Sequence, residues 1–340
     1  MFVYLIRRIL LMIPTFFGIT LVSFLIINLA PGSPVEQKLQ AMRFGGASGA
    51  NNNSRGDTSA NAEVIEALRK QYGFDKPVGE RYVIWLTNIS KLDFGRSFTY
   101  GEPVRDVIFS KFPVSMQFGI ASLILTYLIC IPLGIAKAIR AGSVFDSVSG
   151  LVLYFTYSIP PLVLGIFLIV FFAGGSYFSW FPIGMLQSDD FDTMTLGAKI
   201  LDRCQHFVLP LVCYMIGGFT ELSMLMRNSM LDVIKQDYVR TARAKGLDEK
   251  IVNYKHALRN AMIPIATGLG GFFRVFLAGS LIVETVFNLD GIGHLSYTSI
   301  LSRDYNVIMG LIFLSSVVLM VGRVFSDLVY VTIDPRIDFK

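Results

Sequence analysis

The chain has 340 residues, of which 53% are hydrophobic and only 16% charged. Soluble domains carry about 25% charged residues, so the composition excludes an ordinary soluble domain and points to an integral membrane protein. The net charge of +5 does not imply nucleic acid, because the basic residues flank apolar runs as membrane topology requires.

A helical span needs about 20 mostly apolar residues. Six segments qualify: 9–30, 111–137, 148–173, 206–227, 262–285 and 307–332. The first follows Arg7 and Arg8, the order found in a secretory signal. Its apolar run exceeds the roughly 7–15 residues of such signals, so it is expected to remain as a first transmembrane helix. With the N-terminus inside, the inner segments hold fourteen Lys and Arg, against three in the short outer loops. That bias puts both termini in the cytoplasm.

Residues 31–112 then form a long outer loop between spans one and two. Its part 43–61 is rich in Gly, Ser, Ala and Asn and is expected to be flexible. Val64, Leu68 and Tyr72 give 63–72 a helical row. Asp75-Lys76-Pro77 reads as a turn, 82–89 as a short helix, and 104–109 as an amphipathic lead into span two.

The spans carry few charges. Glu221, Arg274, Arg323 and Asp327 sit at membrane depth, where a charge normally faces a bundle interior or a wet cavity. Arg323 and Asp327 are four apart on one helix and can pair directly. Glu221 and Arg274, on neighbouring spans at similar depth, either pair or line a pathway. Pro132, Pro160, Pro161 and Pro210 lie within or at the ends of spans, where prolines shape packing or kink helices. Tyr177, Phe178, Trp180 and Phe181 read as an interfacial belt. Cys130, Cys204 and Cys213 form no CxxC pair, so neither a disulfide framework nor a metal site is expected.

Between spans four and five, residues 228–263 are strongly basic. Leu231, Ile234, Tyr238 and Ala242 recur at helical spacing, with Asp232, Lys235, Arg240 and Arg243 opposite. Gly246 suits a left-handed helix end, and Asp248 can cap a second helix with the stripe Ile251, Tyr254, Leu258 and Met262. This helix–turn–helix can lie on anionic lipid or dock a protein. The small residues Ala242, Ala244 and Gly246, which let a surface approach closely, favour docking.

The run YVRTARAKG followed by HALRNAMIP resembles the cytoplasmic EAA loop of binding-protein-dependent ABC importer permeases, in its peptide-importer form. Aligned on Gly246, the family's Glu-Ala-Ala falls on Arg240, Thr241 and Ala242, so the Glu is absent and Thr replaces the first Ala. The family's later proline falls on Arg259, and Pro264 comes after it. RRILLMIPTFFGITLVSFLIINLAPGSPV, YGFDKPVGERY, LDFGRSF, VETVFNLDGIGHL and SRDYNVIMG follow in the order of a peptide permease B subunit. The Gly/Asn-rich insert, FFAGGSYFSWFP and the DPRIDF ending resemble the microcin C–type subclass.

The resemblance implies an all-α polytopic fold of six transmembrane helices, type I ABC importer permease-like, in the bacterial inner membrane. It implies a first helix (1–30), an outer region (31–112), a five-helix core (113–332) containing the coupling loop 228–263, and a tail (333–340). It implies a similar but distinct second permease chain, two ATP-binding subunits, a periplasmic solute-binding protein, surrounding lipid and a peptide substrate. Trp180 would then be free to touch the binding protein. Other branches carry nickel or sugars. With no G-x-x-x-x-G-K-[ST] loop, this chain is not expected to be an enzyme; ATP and Mg would belong to the partners. The ATPase-contacting residues would be Tyr238, Arg240, Thr241, Ala242, Arg243, Ala244, Lys245, Gly246 and Leu247.

Two rival classes weigh less. An intramembrane enzyme would have only His206, His256 and His294, which the topology separates, and neither H-E-x-x-H nor G-x-S-x-G occurs. An ATP-independent channel or secondary transporter would have no use for the docking hairpin.

Overall fold

The computed structural model describes residues 2–29, 75–175, 177–268 and 279–333. The insert 43–61, the helix expected over 63–72, Arg274 and the tail from 334 lie outside them. In chain order the helices are α1 (Phe2–Leu29), α2 (Val78–Ser90), α3 (Val104–Ile139), α4 (Val144–Ser158), α5 (Pro161–Leu168) and α6 (Leu196–Ile234). Then follow α7 (Asp237–Ala244), α8 (Glu249–Ile251), α9 (Leu258–Ala261), α10 (Ile263–Gly268), α11 (Leu281–Val286), α12 (Ile292–Leu301) and α13 (Tyr305–Ile333). Among the described residues extended pairing is confined to one bridge, Arg96 to Pro103.

Four of these helices are long and apolar enough to cross a membrane: the segments Ile6–Leu29, Val104–Ile139, Leu196–Ile234 and Tyr305–Leu328. The third expected span is not one straight helix. α4 and the run Pro161–Ala173 meet at 97°. The cause is local: Ile159 precedes a proline and is extended (ψ 120°), Pro160 is extended too (ψ 138°), and Pro161 starts a new helix. α5 then loosens into a π turn, Ile169–Ala173. Beyond it Tyr177, Phe178 and Trp180 form an exposed aromatic group stacked on Phe171 and Phe172. Of the fifth expected span, the described parts are α10 and α11.

The chain divides into two compact units. One comprises Ile9–Ser110 with Leu295–Val317. In it Val104 and Ile108 are fully buried and close on Gly310, and Phe24 packs on Tyr82 and Trp85. The carboxylate of Asp304, also fully buried, accepts from the Ser97 hydroxyl and, at 3.0 Å, from the Thr99 N–H.

The other unit comprises Met1–Arg8, Lys111–His294 and Val318–Lys340. Its spine is the parallel pair α3 and α6. Phe118 stacks on Phe207 with ring centres 4.2 Å apart, and the Cys130 thiol donates to Phe219 O at 3.2 Å. At Gly134 the helices touch backbone to side chain: a Cβ there would come within 2.6 Å of Met226 Cβ and 2.7 Å of Ser223 O. Gly134→Ala is therefore expected to force the pair apart. Overpacking of this kind costs about 1–3 kcal/mol, read as a lower melting temperature in detergent; an unchanged melt would show slack in the crossing.

Candidate functional site

The basic segment folds as a hairpin seated on the end of α3 and α6. α6 stops at Lys235, and Gln236 leaves helical space (ψ 149°) before α7 begins. α7 has Asp237 in its first turn and Arg243 in its last, as the helix dipole favours. Gly246 then adopts φ +75°, a conformation that costs glycine little. The Asp248 side chain caps α8, which passes through a π turn, Val252–Ala257, into α9. Arg243 Nε donates to Glu249 Oε1 at 2.8 Å across the glycine turn and stiffens it.

The buried faces differ from those expected of unbroken helices. The break at Gln236 resets the phase, so Val239 and Ala242 face inward while Tyr238 is 42% exposed. On the return arm the π turn, with its i→i+5 bonding, shifts the register again. Val252, Ala257 and Ala261 are buried there, whereas Ile251 and Tyr254, from the stripe read in the sequence, are exposed. The inward residues join Cys130, Ile135, Ala138, Leu222, Met226, Met230 and Ile265 in one core. Ser229 Oγ donates to Ala261 O at 2.7 Å, and Asn260 Nδ2 to Tyr238 Oη at 2.7 Å. Of the expected contact residues, Ala242 is thus part of the seat. Tyr238, Arg240, Thr241, Arg243, Ala244, Lys245, Gly246 and Leu247 are on the outside.

A charged node ties the helices beneath this seat. Asp146, in the first turn of α4, accepts from Arg227 Nε at 2.7 Å and Nη2 at 2.6 Å. Lys137, fully buried on α3, lies 3.4 Å from the same carboxylate and donates to Asp146 O and Ser149 Oγ, each at 2.9 Å. Sequence reading counted Lys137 and Arg227 only as topology charges. The available signal was their placement, with Asp146, at three span ends on one side.

The intramembrane charges fare differently. Glu221 is exposed beside a cavity of about 310 Å³. Its suggested partner Arg274 lies outside the described residues. Asp327 forms an ion pair with Arg8 of the first helix, while Arg323, the partner its spacing suggested, is exposed. Glu284, a carboxylate near the end of the fifth expected span that the charge reading missed, is fully buried in α11. It accepts from Ser115 Oγ at 2.6 Å, Tyr214 Oη at 2.8 Å and the His294 N–H at 2.8 Å.

The family described as binding-protein-dependent transport system inner membrane component matches residues 130–339. The peptidoglycan transport system permease protein YejB of Agrobacterium fabrum (strain C58 / ATCC 33970) is 42% identical, over 99% of this chain and 98% of its own. The inner membrane ABC transporter permease protein YejB of Escherichia coli O157:H7 is 41% identical over 99% of each chain. The oligopeptide transport system permease protein AppB of Bacillus subtilis (strain 168) is 34% identical over 99% of each. Apolar helices of spanning length, a basic hairpin and full-length likeness converge: the chain belongs to the binding-protein-dependent transport system inner membrane components and is a multi-pass inner-membrane permease subunit of an ABC importer.

Proposed function

We propose that this permease moves peptides or peptide-like solutes, and that hairpin 228–263 is its cytoplasmic contact with ATP-hydrolysing partners. The observation that carries the reading is the hairpin's two-sidedness. One side is locked into the core of α3 and α6. The other presents Tyr238, Leu247, Ile251 and Tyr254 as exposed apolar groups among basic residues, a mixture suited to a protein cleft. Arg243 is held by Glu249. Arg240, only loosely paired with Asp237 at 3.9 Å, and Lys245 are exposed cations able to meet acidic groups, setting register more than affinity.

In this reading both termini are cytoplasmic and the bound ATP and magnesium belong to two partner ATPases. A second, similar permease chain completes the pathway, and a periplasmic solute-binding protein delivers the cargo. Closure of the ATPase pair would move the hairpin, and with it the ends of α3 and α6, as one lever biasing a bistable bundle. The peptide assignment is supported by relatives whose names specify oligopeptide, glutathione and di/tripeptide transport. The microcin C–type assignment is supported by FFAGGSYFSWFP and the DPRIDF ending.

Gly246→Trp tests the lever. The turn is exposed, and a Cβ on Gly246 meets nothing within 4 Å, so the bulk projects outward. Because φ +75° strains any side chain there, Gly246→Ala, which carries the strain without the bulk, is the control and is expected to keep most of the uptake. Membrane insertion is expected to persist while ATPase co-purification and ATP-driven uptake are lost. Uptake at the parental rate would refute the assignment.

A further inference from the structure

We propose that Glu221 and the cavity beside it form a subsite for an ammonium group of the translocated solute, the charged amine of a peptide; this rests on the reading of the chain as a peptide permease. Glu221 lies on α6, within the apolar stretch between His206 and Arg227. An ionisable group at that depth persists where it is paired or faces a wet cavity. The Glu221 side chain is exposed and makes no ion pair or hydrogen bond among the described residues. It faces a cavity of about 310 Å³.

The lining suits an ammonium. Ser122, Thr126 and Tyr127 of α3 and Tyr214 of α6 line the cavity with Glu221. An ammonium has three donors and no acceptor, so the Glu221 carboxylate with the hydroxyl-bearing Ser122, Thr126 and Tyr127 in the same cavity wall matches its needs, while Tyr214 Oη is already held by Glu284 and Ser280. The Ser122 hydroxyl donates to Gly119 O at 2.9 Å, which leaves its lone pairs available. Gly218 keeps the wall open: a Cβ there would meet only Thr126 Cγ2, at 3.9 Å. At about 30 Å³ per liquid water the cavity holds roughly ten waters, the size of one end of a peptide. A bare metal ion fits poorly, since the described residues contain no group of three His, Cys, Asp or Glu that could hold one.

The test uses the assembled importer in proteoliposomes with its solute-binding protein. Uptake of a tripeptide and of its N-acetylated form is compared at equal occupancy of the binding protein, measured separately for each. A hydrogen-bonded charge lost from such a site lowers the free-amine to acetylated uptake ratio by about tenfold, and that is expected of Glu221→Gln. Glu221→Asp, which keeps the charge, is expected to retain most of the ratio. Leu225→Lys places an ammonium one turn from Glu221 on the same cavity wall and is expected to mimic Glu221→Gln, even if that variant fails to assemble. Equal losses for both peptides, as pairing of Glu221 with Arg274 would give, or an unchanged ratio would overturn the subsite. If the parental importer takes up neither peptide, the peptide reading falls and the subsite with it.

Discussion

Asp146→Ala is expected to destabilise the permease by about 3–5 kcal/mol, the usual cost of stranding buried charge. Asp146 is the shared anion of Lys137 and Arg227. Its removal leaves the wholly buried Lys137 ammonium, among the described residues, with Asp146 O and Ser149 Oγ as neutral acceptors. Asp146→Asn keeps an acceptor for Arg227 but no charge and is expected to lose less. The triple replacement Lys137→Met, Asp146→Leu, Arg227→Met is expected to be near neutral, because exchanging a whole buried ion cluster for apolar side chains removes attraction and desolvation cost together. Thiol labelling reads the result. Cys130 and Cys213 are buried and Cys204 is exposed, so in a Cys204→Ser background dye uptake on heating reports opening of the helix core. A parental midpoint for Asp146→Ala would show that the node does not hold the bundle. Ile135, Ala138, Met226 and Met230 of the hairpin core flank Lys137 and Arg227 along α3 and α6. The same substitution is therefore expected to reduce solute moved per ATP more than ATPase binding.

How much of this was legible in the chain depends on range. The long helices were, because each is a continuous apolar run bounded by charge. The left-handed turn at Gly246 was too, since it needs only one residue type. The hairpin's packing phase was not. Periodicity puts Tyr238 in one row with Leu231 and Ile234, and Ile251 in one row with Leu258, but a break at Gln236 and a π turn from Val252 each shift the register. Pro160-Pro161 marked an irregular span without revealing a 97° corner, because two adjacent prolines fix local dihedrals and the following helix sets the angle. The paired charges were the least legible. Asp146 and Arg227 are 81 residues apart and Ser115 and Glu284 are 169 apart, and no local pattern encodes such a meeting. Asp327 shows the hazard of local logic: a cation four residues away was a plausible partner, yet it pairs with Arg8.

Glu284→Ala is expected to loosen residues 279–294 while leaving the hairpin folded. The three donors to this carboxylate come from α3, α6 and the start of α12, so one side chain joins the segment to both spine helices. Two of the donors are themselves acceptors: Ser115 Oγ takes the Ile292 N–H at 2.7 Å, and Tyr214 Oη takes the Ser280 N–H at 3.0 Å. Removing the carboxylate strands three buried donors, and each such loss costs about 1–3 kcal/mol before relaxation. Gly279, Gly291 and Gly293 crowd the carboxylate so closely that a Cβ on any of them would meet it within 3.0 Å, so little can move in to replace it. Glu284→Gln keeps the shape but turns one oxygen into an NH2. Either it faces the His294 N–H, donor against donor, or it faces two hydroxyls that must both reorient. It is expected to show about half the alanine effect. Hydrogen exchange in micelles separates the outcomes. At about 1.4 kcal/mol per factor of ten, amides in 279–294 are expected to exchange at least tenfold faster in Glu284→Ala, with those of 237–261 unchanged. Tyr214→Phe and Ser115→Ala should each show a smaller version of the same local change, and their effects should fall short of additivity with Glu284→Ala because they share its hydrogen bonds. Uniform acceleration across both segments would mean that the carboxylate supports the whole bundle and not one segment of it.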